Sequence, residues 1–363
     1  MRAVIKRVRI SNYRSIEHAD VELHDLTFLV GPNGSGKSNF LDALKFVSEL
    51  QCDRLDEVLR RRGGPFVWFV SPEGTLSEKL EIHLELVTGE SDCTYRLQVS
   101  RGADGEASIT DESWTLGSGT ARRDARSRAD ESALRMVALI KPRFEPLYAA
   151  LAGIAVYAPE PSQMRLPHPI GSGRMLESSA TNAADVMWRL KAEAPQDYDR
   201  VLEYMQALDF IVSVVPGSEA PVRHLLFKRP DDSKPWFSRD QVSDGMLRFF
   251  AVLLAAFQSE IASPRLTLLG MEEPENYLHP GAAGLLFDAL SEASQRVQVI
   301  VSTHSADLLN IKDLTSESIL AFASRNGRTV LGPLSEATRN IVRERLYTVG
   351  ELLRANAIEP VPS

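Results

Sequence analysis

The stretch Thr27-Phe28-Leu29-Val30-Gly31-Pro32-Asn33-Gly34-Ser35-Gly36-Lys37-Ser38-Asn39-Phe40 constrains this chain more than any other. A short apolar run ends at Gly31, and from Lys37 the apolar residues recur at helical spacing, with Phe40, Ala43, Leu44 and Val47 on one face. Between the two lies G-x-x-x-x-G-K-S, in the strand-to-helix context that gives the pattern its meaning. Gly31, Gly34 and Gly36 lack a Cβ, so successive N–H groups can turn inward, and the helix start adds the positive end of its dipole. Such a turn is a cradle for phosphate. Lys37 would reach β- and γ-phosphates and Ser38 would ligate Mg²⁺, with Pro32, Asn33, Ser35 and Asn39 completing the candidate nucleotide-binding set. The rival reading is a plain Gly-rich turn before a helix, and the flanks argue against it.

The chain has 363 residues, enough for one large α/β domain with an insertion or for two moderate domains. Its 44% hydrophobic and 25% charged content is that of a globular protein with a sizeable core. A formal charge of −8 argues against a surface that coats nucleic acid broadly, while leaving room for a local basic patch. Cys52 and Cys93 are the only cysteines, which excludes a disulfide scaffold or a Cys-based zinc site and fits a reducing, cytoplasmic setting. Met1 to Arg7 carries charge without a following apolar core, and no apolar run reaches membrane-spanning length, so neither export nor a membrane span is expected. No repeat or heptad pattern long enough for a coiled-coil arm is present.

In chain order, Val4 to Ile10 and Val21 to Leu23 read as strands that precede the Thr27–Val30 strand. A helix over Lys37 to about Leu50 gives way to Arg60, Arg61, Arg62 and Gly63-Gly64-Pro65, a loop signal. Leu80 to Leu116 alternates apolar and polar residues between Gly/Asp/Ser turns, as an antiparallel sheet does. The stretch from Gly117 to Asp130, with Arg122, Arg123, Arg126 and Arg128, reads as a mobile loop. Gly153 to Tyr157 reads as a buried strand, followed by a Pro/Gly-rich loop through Gly173 and helices over Asn182 to Lys191 and Asp197 to Leu208. Val222 to Phe227 is strand-like, and Ser243 is placed to cap an apolar helix over Met246 to Phe257. Strand Leu266 to Met271, helix Gly281 to Ala293, strand Val297 to Ser302 and helix Ser305 to Leu309 then alternate like a parallel α/β sheet.

Leu266 to Met271 leads directly into Glu272-Glu273-Pro274-Glu275, and acids at the carboxyl edge of a parallel strand face the ligand crevice. Glu272 is placed to hold Mg²⁺ through water, and Glu273 to act as the base or water-orienting group at the γ-phosphate. The plainer alternative is an acidic helix cap. His304, at the end of the Val297–Ser302 strand, is placed to sense the γ-phosphate or else to serve as a hydrogen-bonded turn residue.

Taken in order, Gly31 to Ser38, Ser243-Asp244-Gly245, Glu272 to Glu275 and Ser302-Thr303-His304-Ser305 resemble the Walker A, signature, Walker B and switch-histidine motifs of ABC-type ATPases. Asn12-Tyr13-Arg14-Ser15, Asn39 to Leu44 and Glu275-Asn276-Tyr277-Leu278-His279-Pro280 are similar to the RecF, SMC and OLD heads. The resemblance implies a P-loop NTPase fold of ABC-head type, with a parallel core sheet, an antiparallel β subdomain and a helical insertion. Its expected segments are 1–50 and 235–335 for the two halves of the core, 51–152 for the β-rich insertion, 153–234 for a strand plus helical subdomain and 336–363 for a helical tail. It further implies ATP and Mg²⁺ as cofactors, hydrolysis of ATP, and a homodimer with two ATPs sandwiched between heads. Ser243 and Gly245 would then act on the nucleotide of the partner head. Gln163 is the candidate glutamine at the metal, Arg14 a candidate contact to the nucleotide, and Arg60 to Arg62 a candidate arginine finger. Two departures stand out: the signature reads Val-Ser-Asp-Gly-Met where transporters carry Leu-Ser-Gly-Gly-Gln, and Glu272 replaces an aspartate. The resemblance points to a bacterial anti-phage or DNA-maintenance system in which any nuclease is a separate chain, DNA being a candidate ligand of Arg122 to Arg128. The competing readings are a non-catalytic, nucleotide-dependent DNA-binding clamp or scaffold and the ATPase subunit of a membrane transporter.

Overall fold

The computed structural model describes residues 2–71, 74–102, 105–124, 127–171, 174–216, 222–229, 236–311, 314–355 and 357–361. Its centre is a mixed six-stranded sheet. Five strands run parallel, β3 (Leu26–Val30), β8 (Ile154–Tyr157), β12 (Leu268–Glu272), β13 (Gln298–Thr303) and β14 (Ile319–Arg325), and β14 turns back in a hairpin to the antiparallel edge strand β15 (Arg328–Pro333). The order is β15-β14-β3-β13-β12-β8.

This sheet divides two hydrophobic cores, because successive side chains of a strand point to opposite faces. Phe28, Val30, Leu269, Met271, Val299 and Val301 join one core, whereas Leu29, Leu268 and Ile300 join the other. Burial on both faces is why these strands read as continuous apolar runs.

Against the second core lie α1 (Lys37–Leu50), α2 (Leu55–Arg60), α3 (Ala133–Ile140) and α4 (Glu145–Ala152). The same core is closed by a six-stranded antiparallel sheet of β1 (Ala3–Tyr13), β2 (Ile16–Glu22), β4 (Lys79–Thr88), β5 (Ser91–Arg101), β6 (Ala107–Leu116) and β7 (Gly119–Arg122). Leu80, Ile82, Leu84 and Leu86 turn inward from β4, leaving Glu81, His83 and Glu85 partly exposed. The first two strands belong to this sheet: Val8 pairs with Leu84 and Ile10 with Ile82.

The first core receives α5 (Pro161–Met164), α6 (Ala183–Glu193), α7 (Pro195–Gln206), α8 (Asp244–Phe257), α9 (Ala283–Ser294) and α10 (Ala306–Leu309). Within α8, Leu247, Phe249, Phe250, Val252, Leu253 and Leu254 are fully buried, each contributing roughly 1.5–3 kcal/mol of apolar burial. A small sheet of β9 (Ile211–Pro216), β10 (Arg223–Lys228) and β11 (Phe237–Ser238) flanks the helices, and α11 (Glu336–Arg343) and α12 (Val349–Arg354) end the chain.

The stretch 117–130, expected as a mobile loop, contains β7, paired along β6. Among the described residues its arginines are held by the chain's own carboxylates. Arg122 bonds Asp111, and Arg123 is buried against the fully buried Glu112. Arg128 reaches Asp130 and Glu131. Arg126, like Gly173, lies outside the described residues. Arg62 is likewise no free finger. It is 5% exposed and bonds Asp42 at 3.0 Å and Glu49 at 2.5 Å. Arg61 bonds Asp53, and Arg60 is exposed.

Candidate nucleotide site

The cradle follows from where β3 ends. Gly34 and Gly36 have φ of 74° and 99°, values that an L side chain pays to adopt. Gly36 is the N-cap of α1, with no side-chain cap and no acid in the first turn, so the helix start keeps its donors and its dipole for an anion. The loop is pressed from outside by the β14–β15 hairpin: a Cβ on Gly31 would meet the Phe322 carbonyl oxygen at 2.1 Å, and one on Gly36 would meet Thr329 Oγ1 at 1.9 Å. Thr329 Oγ1 lies 2.7 Å from Ser15 Oγ, which accepts from Asn39 Nδ2 at 2.6 Å. Asn39 therefore joins the first turn of α1 to the β1–β2 turn and the hairpin.

Two buried groups in the cradle lack the partners their chemistry asks for. Ser35 Oγ is buried and, among the described residues, has no hydrogen-bond partner. Lys37 is 5% exposed and folds back to donate to the carbonyls of Gly31 at 2.7 Å and Pro32 at 2.9 Å. Burial holds its pKa below the ordinary lysine value, against the opposing pull of Glu273 and Glu275. A cation kept dry by neutral carbonyls, beside an orphaned hydroxyl and a free helix start, fits an incoming phosphate.

The carboxyl ends of β12 and β13 supply the acids. Ser38 Oγ donates to Glu272 Oε2 at 2.7 Å, joining the two halves of the sequence across the crevice. Glu273 stands one residue past the strand at φ 45°, an uncommon conformation fixed by its N–H donating to Ser302 O at 2.9 Å and Oγ at 3.3 Å. Its carboxylate accepts from Asn276 Nδ2 at 2.7 Å and lies 3.3 Å from His304 Nδ1. Glu275 Oε1 accepts from Thr303 Oγ1 at 2.5 Å and from the His304 N–H at 3.3 Å. Glu272, Glu273, His304, Lys37 and Ser38 thus share one edge of the sheet.

The remaining candidates stand around this group. Gln163 sits on α5, just past β8 at the same edge, and among the described residues no hydrogen bond joins it to Ser38 or Glu272. Arg14, at φ 50°, is held by Asp42 at 2.8 Å, which also accepts from Tyr13 OH at 2.7 Å. Ser243 is exposed and caps α8 by accepting from Met246 N at 3.4 Å, while Asp244 pairs with Arg165 at 2.7 Å. Gly245 is buried under the segment after Glu275, where a Cβ would meet the Tyr277 carbonyl oxygen at 2.2 Å.

Arg248 is absent from the sequence candidates. It is buried in α8 and donates to Pro159 O at 2.7 Å and Glu272 O at 2.9 Å, tying the helix capped by Ser243 to the ends of β8 and β12. A lone arginine inside the apolar run Met246–Phe257 was the available signal, since a buried charge needs partners.

Two family models match separate parts of the chain: one described as "AAA ATPase domain" over residues 4–112, and one described as "AAA domain, putative AbiEii toxin, Type IV TA system" over residues 178–310. The DNA replication and repair protein RecF of Corynebacterium jeikeium is 42% identical over 62 residues, 16% of this chain and 15% of that protein. The OLD nuclease of Thermus scotoductus is 43% identical over 44 residues, 12% of this chain and 8% of that protein. The chain therefore aligns with only a small part of either relative. In architecture it is similar to the SMC head domain from Thermotoga maritima, with a TM-score of 0.52 at 16% identity over 92% of this chain and 100% of that one. An Smc head with an extended coiled coil, bound to the C-terminal domain of ScpA and derived from Pyrococcus furiosus, gives a TM-score of 0.57 at 13% identity over 95% of this chain and 100% of that one. Likeness at this identity shows the fold. Among the described residues no helix is long and apolar enough to cross a membrane. Both ATPase models, the RecF and OLD segments and the SMC-head architecture together support an ABC-type ATPase of the RecF, SMC and OLD group.

Proposed function

We propose that the chain binds ATP with Mg²⁺ at the cradle and hydrolyses it, that two copies close face to face around the nucleotide, and that closure gates a separate effector protein. The observation that carries this reading is the 2.7 Å bond from Ser38 to Glu272, with the Glu273–His304 pair beside it. Bound ATP supplies the γ-phosphoryl group transferred to water, with Mg²⁺ neutralising charge on the β- and γ-oxygens. Lys37 would leave the Gly31 and Pro32 carbonyls for phosphate oxygens. Ser38 and Glu272 would hold the metal with few protein ligands, as Mg²⁺ prefers, and Gln163 is the candidate to join them. Glu273 would orient water and accept its proton, and His304, across from it, would stabilise charge growing on the γ-phosphate.

Ser243, exposed at the start of a fourteen-residue helix, is suited to an anion brought by a second copy. Gly245 holds this start against the segment after Glu275, so the two would move together on closure. The words "DNA replication and repair" and "nuclease" in the names of RecF and OLD support an effector whose work is on DNA, in defence or maintenance. Direct DNA binding by Arg123 finds no support, because its side chain is buried against Glu112.

A mixing experiment tests the shared site. Lys37→Ala and Ser243→Arg heads should each be inactive alone, but a 1:1 mixture of a symmetric dimer should recover about a quarter of wild-type turnover, one intact composite site in each mixed pair. A mixture as inactive as its components would overturn the sandwich.

A further inference from the structure

Residues 132–144, Ser-Ala-Leu-Arg-Met-Val-Ala-Leu-Ile-Lys-Pro-Arg-Phe, carry three cations and no acid, in a chain of net charge −8. They form α3 and the turn after it. Ala133, Leu134 and Ala138 are buried in the core, so one side of the helix is accounted for. The other side is apolar as well. Met136, Leu139 and Ile140, at i, i+3 and i+4, are 54%, 73% and 71% exposed. Leu139 is the most exposed large hydrophobic side chain among the described residues. A helix apolar around its circumference is normally buried; this one is half covered.

Among the described residues Arg135, Lys141 and Arg143 form no ion pair: Arg135 donates to the Cys52 carbonyl at 3.0 Å, and the Arg143 guanidinium lies 4.6 Å from the centre of the Phe144 ring. That contact to Cys52 also locates the patch. Cys52 follows the last turn of α1, whose first residue is Lys37, so the patch sits one helix length, about 20 Å, from the cradle.

We infer that the outer face of α3 is a docking surface for an acidic, amphipathic segment of a partner protein. Nucleic acid would neutralise the cations but leave Leu139 and Ile140 wet, and a neutral apolar partner would strand the cations. An anionic membrane answers both needs locally, yet it repels a head of net charge −8, with only three basic residues to hold it. A helix bearing aliphatic residues on one face and carboxylates at its borders answers both without that penalty.

The probe is a fluorescein-labelled, 18-residue peptide with leucine at i, i+3, i+4 and i+7 and glutamate elsewhere, titrated by anisotropy against the full chain. Saturable binding is expected, weakened about tenfold or more by L139D/I140D, since two exposed aliphatic side chains lose their burial. K141E/R143E should lose this peptide and gain its lysine counterpart. Both variants should keep the wild-type melting temperature and ATP turnover, because the residues are exposed and distant from Lys37, so failure here is distinct from failure of the ATPase reading. Docking is overturned by absent binding, by equal binding of a scrambled peptide, or by variants that bind as wild type does. It is also overturned if phosphatidylserine vesicles or a 20-base-pair duplex, rather than the peptide, bind in a Leu139-dependent way. Self-association in sedimentation that L139D/I140D abolishes would make a second copy the occupant and overturn it too.

Discussion

Replacing Gly36 by alanine should injure the cradle for two separable reasons. The first is local: φ is 99° and ψ is 10°, and left-handed backbone costs an L residue about 1–2 kcal/mol. The second is a collision, because the new Cβ would lie 1.9 Å from Thr329 Oγ1, 2.8 Å from Cγ2 and 2.9 Å from Cβ. Thr329 cannot easily yield. It is 5% exposed, its hydroxyl is bound to Ser15 Oγ at 2.7 Å and its N–H donates to Ser15 O at 2.8 Å. Overpacking of that kind costs about 1–3 kcal/mol, so Gly36→Ala should lose about 2–5 kcal/mol in all. Thr329→Gly alone should cost about 1–2 kcal/mol through backbone freedom and the lost hydroxyl bond. Combining them removes the collision but not the strain, so a double-mutant cycle in urea should return a favourable coupling of about 1–3 kcal/mol. Additivity within about 0.5 kcal/mol would refute the claim that the hairpin shapes the loop.

Three further outcomes follow from contacts elsewhere. Gly245→Ala drives a Cβ to 2.2 Å from the Tyr277 carbonyl; sedimentation with ATP should find dimerisation weakened by about 1–3 kcal/mol while ATP binding to the single head persists. Arg62→Ala removes one of the two guanidinium partners of Asp42 and the nearer cation of Glu49, and should cost about 1–3 kcal/mol in urea, with turnover per folded head unchanged; lost turnover at intact stability would restore the finger reading. Glu292 is held below the usual carboxylate range, first by the hydrogen bond from Arg200 and then by Tyr204. Its contribution is therefore present above the ordinary glutamate pKa of about 4.3 and fades as pH falls through the lowered value. Denaturation midpoints of wild type and Glu292→Gln should accordingly differ at neutral pH and converge in acid.

The parts legible in the sequence were those with local causes. Gly31 to Ser38 needs only its own glycines and flanks, and Leu268 to Glu272 reads as a strand because both of its faces are buried. The hairpin pressing on the cradle carried a local signal too: Asn326-Gly327, at φ 52° and 74°, is the two-residue turn that closes strands after alternating residues. What it presses on was not legible, because contact between Thr329 and Gly36 depends on strand order. Pairing of β1 with β4 is a choice among many apolar strands and is settled by the core they share. Helix α3 was hidden because its length and all-round apolar character suit a buried strand as well as a helix. The salt bridges of Arg62 and Arg123 join residues that no spacing rule links.

The central claim is that Glu273 serves the chemical step at a site assembled by Ser38 and Glu272. Single-turnover hydrolysis of ATP by Glu273→Gln tests it most directly, with nucleotide binding followed in the same samples. The rate should fall about 10²–10⁴-fold while ATP and Mg²⁺ still bind and hold the dimer together. A rate within about twofold of wild type, less than one general base contributes, would contradict it.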